Sequence, residues 1–598
     1  MIKKLAVYLG EYKKTTYAIP LLVLLDVLCE LSMPLLMARV IDIGIPGKDV
    51  GYIARIGLYM ILLALAAIGF GILNTRLTTN VSMGFGANLR NSLFEKVQAF
   101  SFKNIDHFST ASLITRMTND VNNLQMTVMM MLRMLLRAPL MLIIAFILAY
   151  NINPQLSVVL GVAIPALTIS LVLIMKTAVA RFVVMQEKID ALNNTLQENL
   201  IGIRVVKSYV RAVHEIQKFK QSNDNLTNAA IRAVSTVIMN FPVMIFMMNA
   251  ATIAIIWMGG RMVYAGTLGA GELIGFISYV MMILMSVMMI SFVVIMSARA
   301  EASAKRILEV LDTPIDIVEP AQPKTAPLAQ NGRAVRGGTA VRAGAAVRAG
   351  KVEFRGVSFK YNLTGSGENV ISGISFTAQP GQVIGIVGGT GTGKTTLVHL
   401  IPRLYDVTGG AVLVDGVDVR DYDLKTLRGK IGVVLQNNTL FSGTIRENLL
   451  WGSPNASEEE MIAAACDAQA HDFIMSFPKG YDTELGQGGV NVSGGQKQRL
   501  CIARAMLKKP DILILDDSTS AVDSGTEAHI RGSFYHNLAD TTVFIIAQRI
   551  SSVRDADQII VLDDGKIAGI GTHHELIAGN RIYQEINSSQ QEGAYIHG

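Results

Sequence analysis

The sequence predicts an α-helical membrane domain with six transmembrane helices, followed by an α/β domain built around a phosphate-binding loop. Three observations lead to this fold class. Residues 1–300 contain long apolar runs with few charges, and only 17% of all 598 residues are charged. A glycine-rich loop at Gly388–Thr396 stands between a strand-like and a helix-like apolar run. A second strand-like run ends in the carboxylate of Asp516, and this combination is typical of nucleotide-binding α/β domains.

Six apolar runs in the first half of the chain are long enough to cross a bilayer, which takes about 20 apolar residues in a helix. The first run is long for the core of a signal peptide and has no clear cleavage site, so we interpret it as a span. Lysines before it predict an interfacial amphipathic helix over residues 1–14. The six predicted spans are 17–41, 56–73, 129–150, 156–175, 237–258 and 273–296.

The connections between the spans alternate between short and long. The long ones, 74–128 and 176–236, are polar, basic and helix-like. The positive-inside rule places these segments and both termini in the cytoplasm. Each is long enough for two helical legs of about 25 residues, which would extend about 35 Å beyond the membrane. The sequence therefore predicts a membrane domain over residues 1–314 with two long cytoplasmic helical loops.

A change of composition marks residues 315–350 as a flexible basic linker. Prolines precede three Ala-Val-Arg triplets interleaved with glycine, and this pattern offers nothing to pack into a core. The triplets could contact anionic lipid headgroups, or the segment could be a tolerated insertion. The remaining chain divides into a nucleotide-binding domain over 351–590 and a C-terminal tail over 591–598. We attribute the net charge of +6 to the flanks of the spans and not to nucleic-acid binding.

The glycine loop carries the strongest functional signal in the sequence. Its glycines let backbone N–H groups approach phosphate oxygens, and the following helix directs its positive end at the same phosphates. Lys394 supplies a charge for the β- and γ-phosphates, and Thr395 supplies a hydroxyl for Mg²⁺, whose shell Asp516 would complete. A chance glycine-rich turn is the alternative, which the strand and helix context argues against. The candidate ATP-binding residues of the loop are Gly388, Gly389, Thr390, Gly391, Thr392, Gly393, Lys394, Thr395 and Thr396.

A further motif at Val492–Arg499 resembles the signature of ATP-binding-cassette (ABC) transporters. Together with the glycine loop and the Asp516 strand, it identifies the nucleotide-binding domain of that family. Six spans before one such domain resemble a half-transporter with the exporter fold, and in particular the degenerate-site subunit of a bacterial heterodimeric multidrug exporter. The resemblance covers nearly the whole chain apart from the linker. It implies ATP and Mg²⁺ as cofactors and a place in the plasma membrane.

The resemblance assigns roles to individual residues. Tyr361 matches the aromatic residue that stacks on adenine, and Gln436 matches the glutamine that reaches Mg²⁺ and the attacking water, although Leu435 replaces the usual proline. The implied Mg²⁺ ligands are thus Thr395, Gln436 and Asp516. The signature residues would bind the nucleotide held by a second subunit; they are Ser493, Gly494, Gly495 and Gln496. Residues 520–523 match the loop that crosses the dimer interface.

Two positions depart from the pattern of an active ATP site. Asp517 stands where the family has a catalytic glutamate, and Gln548 stands where it has the switch histidine. Aspartate is one methylene shorter than glutamate, so its carboxylate, which would act as the general base, reaches about 1 Å less far. Glutamine cannot become a cation near neutral pH. We therefore expect a slow site and a partner subunit that carries both usual residues, with a slow homodimer as the alternative.

Charged residues within the spans form a separate set of candidates. Asp26 and Glu30 are four residues apart and share a helix face, as do Arg133 and Arg137. Intramembrane charge usually faces a cavity or a partner, so these four are candidate substrate-cavity residues; a structural ion pair is the other interpretation. At the tips of the long segments, 113–120 resembles the first coupling helix and 199–207 resembles the second.

The family resemblance implies an ATP-driven exporter that moves amphipathic or hydrophobic compounds out of the cell by alternating access. The implied partners are a homologous half-transporter subunit, a hydrophobic small molecule and membrane lipid, with no nucleic acid. Two alternatives remain open at this stage. One is an importer with the exporter fold, of the siderophore type, and the other is a nucleotide-gated regulatory subunit.

Overall fold

The computed structural model describes residues 2–324, 349–361, 369–517 and 524–596. The chain divides into two compact units. The first comprises Met1–Gln98 and Thr110–Thr313, and the second comprises Ala99–Ser109 and Pro314–Gly598. Residues 99–109 thus pack with the second unit, although the residues before and after them in the sequence belong to the first.

The chain up to residue 312 is helical almost throughout. Among its helices, α4 belongs to the second unit and the others belong to the first. The helices in chain order are α1 (Ile2–Leu5), α2 (Lys13–Arg39), α3 (Val50–Gln98), α4 (Phe102–His107), α5 (Thr110–Thr115), α6 (Val121–Met130), α7 (Leu136–Ile152), α8 (Pro154–Ile201), α9 (Ile203–Ser208), α10 (Ala212–Ile238), α11 (Asn240–Tyr264) and α12 (Ala270–Asp312).

In the part of the chain that the structure describes, six helical stretches are long and apolar enough to cross a membrane, which confirms the predicted number of spans. Several helices continue well past their apolar parts: α3 has 49 residues, or about 74 Å, against a hydrocarbon core of about 30 Å. The predicted helix over residues 1–14 differs, because a 3₁₀ stretch with left-handed Gly10 follows α1. The six stretches are Lys3–Gly44, Val50–Gln98, Thr110–Ile152, Pro154–Ile201, Ala212–Tyr264 and Ala270–Ile290.

The core of the first unit is built on one face of α2. Four fully buried residues lie four apart along that face, as side chains one turn apart do. The phenol of Tyr279 on α12 is also fully buried and donates a hydrogen bond to the carbonyl oxygen of Leu31 at 2.7 Å. Because that bond satisfies a buried polar group, it fixes α12 against α2 at this level. The buried residues on α2 are Ile19, Val23, Val27 and Leu31.

Within its described residues, the second unit combines three sheets with helices. Its strands are β1 (Val352–Phe359), β2 (Ile371–Ala378), β3 (Val383–Gly388), β4 (Gly409–Val414), β5 (Val417–Asp418), β6 (Ile431–Val434), β7 (Gly443–Thr444), β8 (Glu484–Leu485), β9 (Ile512–Asp516), β10 (Thr542–Ile546), β11 (Gln558–Asp563) and β12 (Lys566–Gly571). Its further helices are α13 (Lys394–His399), α14 (Leu424–Gly429), α15 (Ile445–Leu450), α16 (Glu458–Asp467), α17 (His471–Met475), α18 (Gly494–Leu507), α19 (Ser524–Asn537), α20 (His573–Gly579) and α21 (Arg581–Ile596).

The central sheet has the strand order β12-β11-β3-β10-β9-β6 and is parallel except for β12. The inner strands β3, β9 and β10 are buried almost along their whole length, as expected for a parallel sheet with both faces covered. Ile546 pairs with both Ile386 and Asp516, so β3, β9 and β10 end at the same edge. In open α/β sheets ligands bind at this carboxyl edge. The fold class predicted from the sequence is confirmed.

Candidate functional site

The glycine loop joins β3 to α13 at the carboxyl edge of the sheet. A side chain at Gly388 would place its Cβ 2.3 Å from the carbonyl oxygen of Leu562 on the neighbouring strand, so only glycine fits there. Gly393, which precedes α13, has φ +88°, a conformation that strains any L side chain. The helix begins at Lys394 itself. These glycines let the loop pass close to the neighbouring strand and turn into α13. Backbone N–H groups of the loop can then face a phosphate at the edge of the sheet.

Lys394 folds back over this loop. Its ammonium group donates hydrogen bonds to the carbonyl oxygens of Gly388 at 2.9 Å and Gly389 at 2.6 Å. Burial lowers the pKa of Lys394, while the carboxylates of Asp517 and Asp516 act in the opposite direction. A cation held in this position can meet the terminal phosphates of a nucleotide seated in the loop.

Thr395 and Asp516 come together as the sequence predicts for a Mg²⁺ site. The Thr395 hydroxyl donates to one carboxylate oxygen of Asp516 at 2.9 Å. The other oxygen is buried, has no hydrogen-bond partner among the described residues, and lies 3.7 Å from Nε2 of His399. Burial raises the pKa of Asp516, with Asp517 adding to the effect and Thr395 and Lys394 opposing it. A buried oxygen without a partner next to a threonine hydroxyl fits a hard divalent cation.

Asp517 and Gln548 contact each other directly. The Gln548 side-chain amide donates to a carboxylate oxygen of Asp517 at 2.8 Å. Gln436 also hydrogen-bonds the Asp517 carboxylate, so all three residues that the resemblance places around the attacking water lie together. Burial raises the pKa of Asp517, whereas the bonds from Gln548 and Gln436 and the charge of Lys394 lower it. The two departures from the family pattern thus form one contact pair.

The backbone of Asp517 is fixed in an uncommon conformation. Its φ is +48°, in the left-handed region that aspartate tolerates better than most residues. Its N–H donates to the carbonyl oxygen of Ile546 at 3.1 Å, and its own carbonyl accepts from the amide of Gln498 at 3.3 Å. Gln498 is buried on α18, so the helix that the signature residues open also helps to hold Asp517 in place.

Tyr361 lies beside the loop helix. Its hydroxyl and that of Thr396 are 3.0 Å apart, and its ring packs edge-on against Phe359 and Tyr405. This puts an aromatic ring within reach of a nucleotide in the loop, which suits the stacking role that the resemblance implies.

The signature residues open α18, a helix of 14 residues. Ser493 is the N-cap: its hydroxyl accepts from the backbone N–H of Gln496 at 3.3 Å, and the Gln496 side chain accepts from the backbone N–H of Ser493 at 2.9 Å. This capping box fixes the first turn, whose N–H groups and dipole favour an anion. The predicted interface loop at residues 520–523 lies outside the described residues.

Comparison with known proteins decides the family. One family model, the ABC transporter transmembrane region, matches residues 16–287, and a second, ABC transporter, matches residues 371–520. The chain is 38% identical to an uncharacterised ABC transporter ATP-binding protein, YfiB, of Bacillus subtilis over 98% of both chains. The chain belongs to the ABC transporter family. The nucleotide-binding domain of this family binds ATP, normally with Mg²⁺, and couples its hydrolysis to transport.

Two further relatives have names that describe a function. An ATP-dependent lipid A-core flippase of Syntrophus aciditrophicus is 33% identical over 94% of this chain and 89% of its own length. A putative multidrug export ATP-binding/permease protein of Bacillus subtilis, YgaD, is 32% identical over 99% of both chains. The structure of a bacterial Atm1-family ABC exporter with ATP bound aligns with a TM-score of 0.78 at 24% identity, over 97% of this chain and 99% of that one. This ABC transporter is therefore a multi-pass membrane protein with the exporter fold.

The predicted coupling helix at residues 113–120 and the nearby helix α4 belong to different units. Residues 113–120 are in the first unit, where Asp120 is buried and its carboxylate accepts from Nε of Arg306 at 2.8 Å. The polar pattern there serves packing against α12. By contrast, α4 packs in the second unit, and its Asp106 accepts a hydrogen bond from the phenol of Tyr405 at 2.7 Å. Of these two segments, α4 is thus the one that packs within the second unit, and the coupling role expected for 113–120 stays a prediction.

Three of the four charged candidates within the spans form an ion-pair cluster. Arg137 lies 3.1 Å from the carboxylate of Asp26 and also pairs with Glu30. Asp26 is 6% exposed, whereas Arg133 is an exposed residue one turn before Arg137. The arrangement favours the structural interpretation of the two carboxylates, and a contact with substrate stays a prediction.

Sequence reasoning missed contacts between residues that are distant in the chain. His399 next to Asp516, Gln498 under Asp517, and Asp106 on Tyr405 belong to no short motif. A histidine one turn after Thr395 on the loop helix was a usable signal, because i and i+4 positions share a face. The bond from Tyr405 to Asp106 had no comparable local sign.

Proposed function

We propose that this ABC transporter chain is one subunit of an ATP-driven exporter that moves amphipathic or hydrophobic compounds out across the plasma membrane by alternating access. The exporter fold and the names of two relatives, a lipid A-core flippase and a putative multidrug exporter, support this class of substrate. Basic residues in the long segments support a cytoplasmic place for the nucleotide-binding domain and both termini. Membrane lipid surrounds the spans and is a second class of partner.

We further propose that the chain's own ATP site hydrolyses slowly, and the contact between Gln548 and Asp517 carries this proposal. A general base must reach the proton of the attacking water with a free carboxylate oxygen. Here the carboxylate is one methylene shorter than the family's glutamate, and the amide at 2.8 Å already engages one oxygen. A switch glutamine can hydrogen-bond the γ-phosphate but cannot bring a positive charge to it.

The remaining parts of the site support nucleotide binding. Lys394 would meet the terminal phosphates, and Tyr361 would stack on the base. Mg²⁺, held by Thr395, Gln436 and Asp516, would supply positive charge to the phosphate oxygens. The chain's residues would thus bind and orient ATP but would remove the proton of the attacking water poorly, so ATP would stay in this site through many cycles.

The signature helix supports pairing with a second subunit, and the departures at Asp517 and Gln548 favour a subunit different from this chain. Its capping box and N-terminal N–H groups are intact, so it can complete the ATP site of a second subunit. That subunit would carry the glutamate and histidine that this chain lacks. The pair would then contain one slow and one fast ATP site. ATP in the slow site would hold the two nucleotide-binding domains together, and hydrolysis in the fast site would release them.

Native mass spectrometry of the complex purified through this chain from its own cells tests the pairing. We expect one copy of this chain with one copy of a similar but different half-transporter. Two copies of this chain, with brisk ATPase activity, would contradict the proposal in favour of a homodimer. Flux measured in inside-out vesicles tests direction: ATP-dependent accumulation of a lipophilic dye supports export, and ATP-dependent loss of preloaded substrate would indicate import.

A further inference from the structure

The side chain of Gln590 on the C-terminal helix α21 contacts the loop at residues 548–550, which we call the switch loop. The amide nitrogen of Gln590 donates to the backbone carbonyl of Gln548 at 2.7 Å, and its amide oxygen accepts from the backbone N–H of Ile550 at 2.9 Å. The orientation of the amide follows from these partners, since a carbonyl needs a donor and an N–H needs an acceptor. One glutamine thus holds the backbone on both sides of Arg549.

The helix that carries Gln590 is itself anchored. Tyr583 is fully buried, with its hydroxyl 2.8 Å from Nδ1 of His573, and Ile586 packs on the core of the domain. Tyr583, Ile586 and Gln590 have the spacing i, i+3 and i+7, so they lie on one face of α21. The apolar part of that face fixes the helix, and its next turn presents Gln590 to the switch loop.

The contact extends to the catalytic position. Gln548 is held at two ends, because Gln590 bonds its backbone carbonyl while its own side-chain amide bonds Asp517. Ile550, just beyond, is 3% exposed and anchors the loop in the core. Residues 548–550 are therefore fixed by α21 on one side and by the carboxyl edge of the sheet on the other.

We propose that Gln590 is a positioning residue for ATP hydrolysis, which acts by clamping the backbone of the switch loop from α21. The inference rests on the proposed role of position 548 beside the γ-phosphate. Without the clamp, the loop samples more conformations and its side chain spends less time in the reactive position. Binding of ATP in the ground state depends on the glycine loop and Tyr361, so the clamp should affect turnover and not affinity.

Hydrogen exchange at single-residue resolution in the full-length complex tests the clamp itself. In Gln590→Ala the amide of Ile550 should exchange about tenfold faster than in the wild type, since the side chain that accepts its hydrogen bond is gone. Gln590→Glu keeps an acceptor but loses the donor to Gln548. The exchange rate of its Ile550 amide should therefore fall between those of the wild type and Gln590→Ala. Gln584→Ala is the matched control, because Gln584 lies on the same helix and donates instead to the carbonyl of Ile577 at 2.6 Å. An Ile550 amide that exchanges equally in Gln590→Ala and the wild type would overturn the clamp.

Steady-state kinetics tests the effect on turnover. We use a background with Asp517→Glu and Gln548→His, in which this site carries the family's usual pair, and with the partner's own hydrolysis silenced. Adding Gln590→Ala should lower kcat about tenfold and leave KM within about twofold, whereas adding Gln584→Ala should change neither. An unchanged kcat would refute the positioning role, even if the Ile550 amide had exchanged faster in Gln590→Ala.

The two proposals fail in different ways. If the doubly substituted background hydrolyses ATP no faster than the unsubstituted site, the account of the slow site is wrong. The comparison of exchange rates between Gln590→Ala and Gln584→Ala still decides whether α21 holds the switch loop, because it does not depend on chemistry at Asp517.

Discussion

The ion pairs of Arg137 allow a quantitative test of how the membrane unit is held together. Replacing Arg137 by Met keeps an unbranched side chain but leaves Asp26, which is 6% exposed, without its cation at 3.1 Å. Removing one partner of a buried pair costs about 3–5 kcal/mol, and an exposed pair contributes less than about 1 kcal/mol. The Arg137 side chain is 31% exposed and that of Glu30 is 34% exposed, so we take the low end, about 3 kcal/mol.

Thermal unfolding of the full chain in detergent measures this loss. Arg137→Met should lower Tm by about 5–10 °C, since 1 kcal/mol corresponds to a few degrees in a domain of this size. Arg133→Met is the matched control, one turn away and exposed, and should shift Tm by less than about 2 °C. Adding Asp26→Asn and Glu30→Gln to Arg137→Gln removes all three charges together and should recover most of the loss.

Two results would refute this reasoning. Equal Tm values for Arg137→Met and Arg133→Met would show that the pair does not stabilise the unit. Failure of the triple replacement to recover stability would show that burial of charge is not the cause of the loss. If, instead, Asp26→Asn with Glu30→Gln selectively reduced transport of cations at equal expression, the two carboxylates would be substrate contacts as well.

Two further predictions concern the nucleotide-binding unit. Lys394→Ala should weaken ATP binding about 100-fold in equilibrium titrations, because it removes the charge on the phosphates; equal affinity would rule out the phosphate-loop role. If α4 transmits substrate binding to the ATP site, Tyr405→Phe, which removes the hydroxyl that donates to Asp106, should lower substrate-stimulated ATPase activity severalfold, with KM for ATP within about twofold. Tyr422→Phe, whose hydroxyl donates to Val414, is its control, and equal stimulation in both variants would contradict a coupling role for α4.

The parts of the site that sequence predicted well are those that a short motif encodes. The loop Gly388–Thr396 combines left-handed glycines with a helix start, and the run up to Asp516 is an apolar strand with a terminal carboxylate. Each pattern is fixed by local backbone geometry, and the parallel sheet brings their ends to one edge. Hydropathy predicted the six spans, because a chain segment in lipid must satisfy its own backbone hydrogen bonds. A long apolar run therefore predicts a membrane-spanning helix.

The parts that sequence could not predict depend on tertiary packing. The bond between Tyr405 and Asp106 joins residues 299 apart, and no spacing rule links them. The same holds for Gln590 and the switch loop, 42 residues earlier, since a glutamine on a helix surface is ordinarily solvated. The coupling role expected for residues 113–120 stays a prediction, because a polar helical pattern near a predicted tip fits a docking helix and a helix packed on α12 equally well.

The central claim is that this chain contributes a slow ATP site to a pair with one fast site. Mutating the residue after the terminal aspartate of the equivalent strand in each subunit separately tests it most directly. Asp517→Ala in this chain should leave at least about half of the complex's ATPase activity, whereas Glu→Gln in the partner should reduce it about 100-fold or more. Brisk hydrolysis by this chain alone, abolished by Asp517→Ala, would contradict the account.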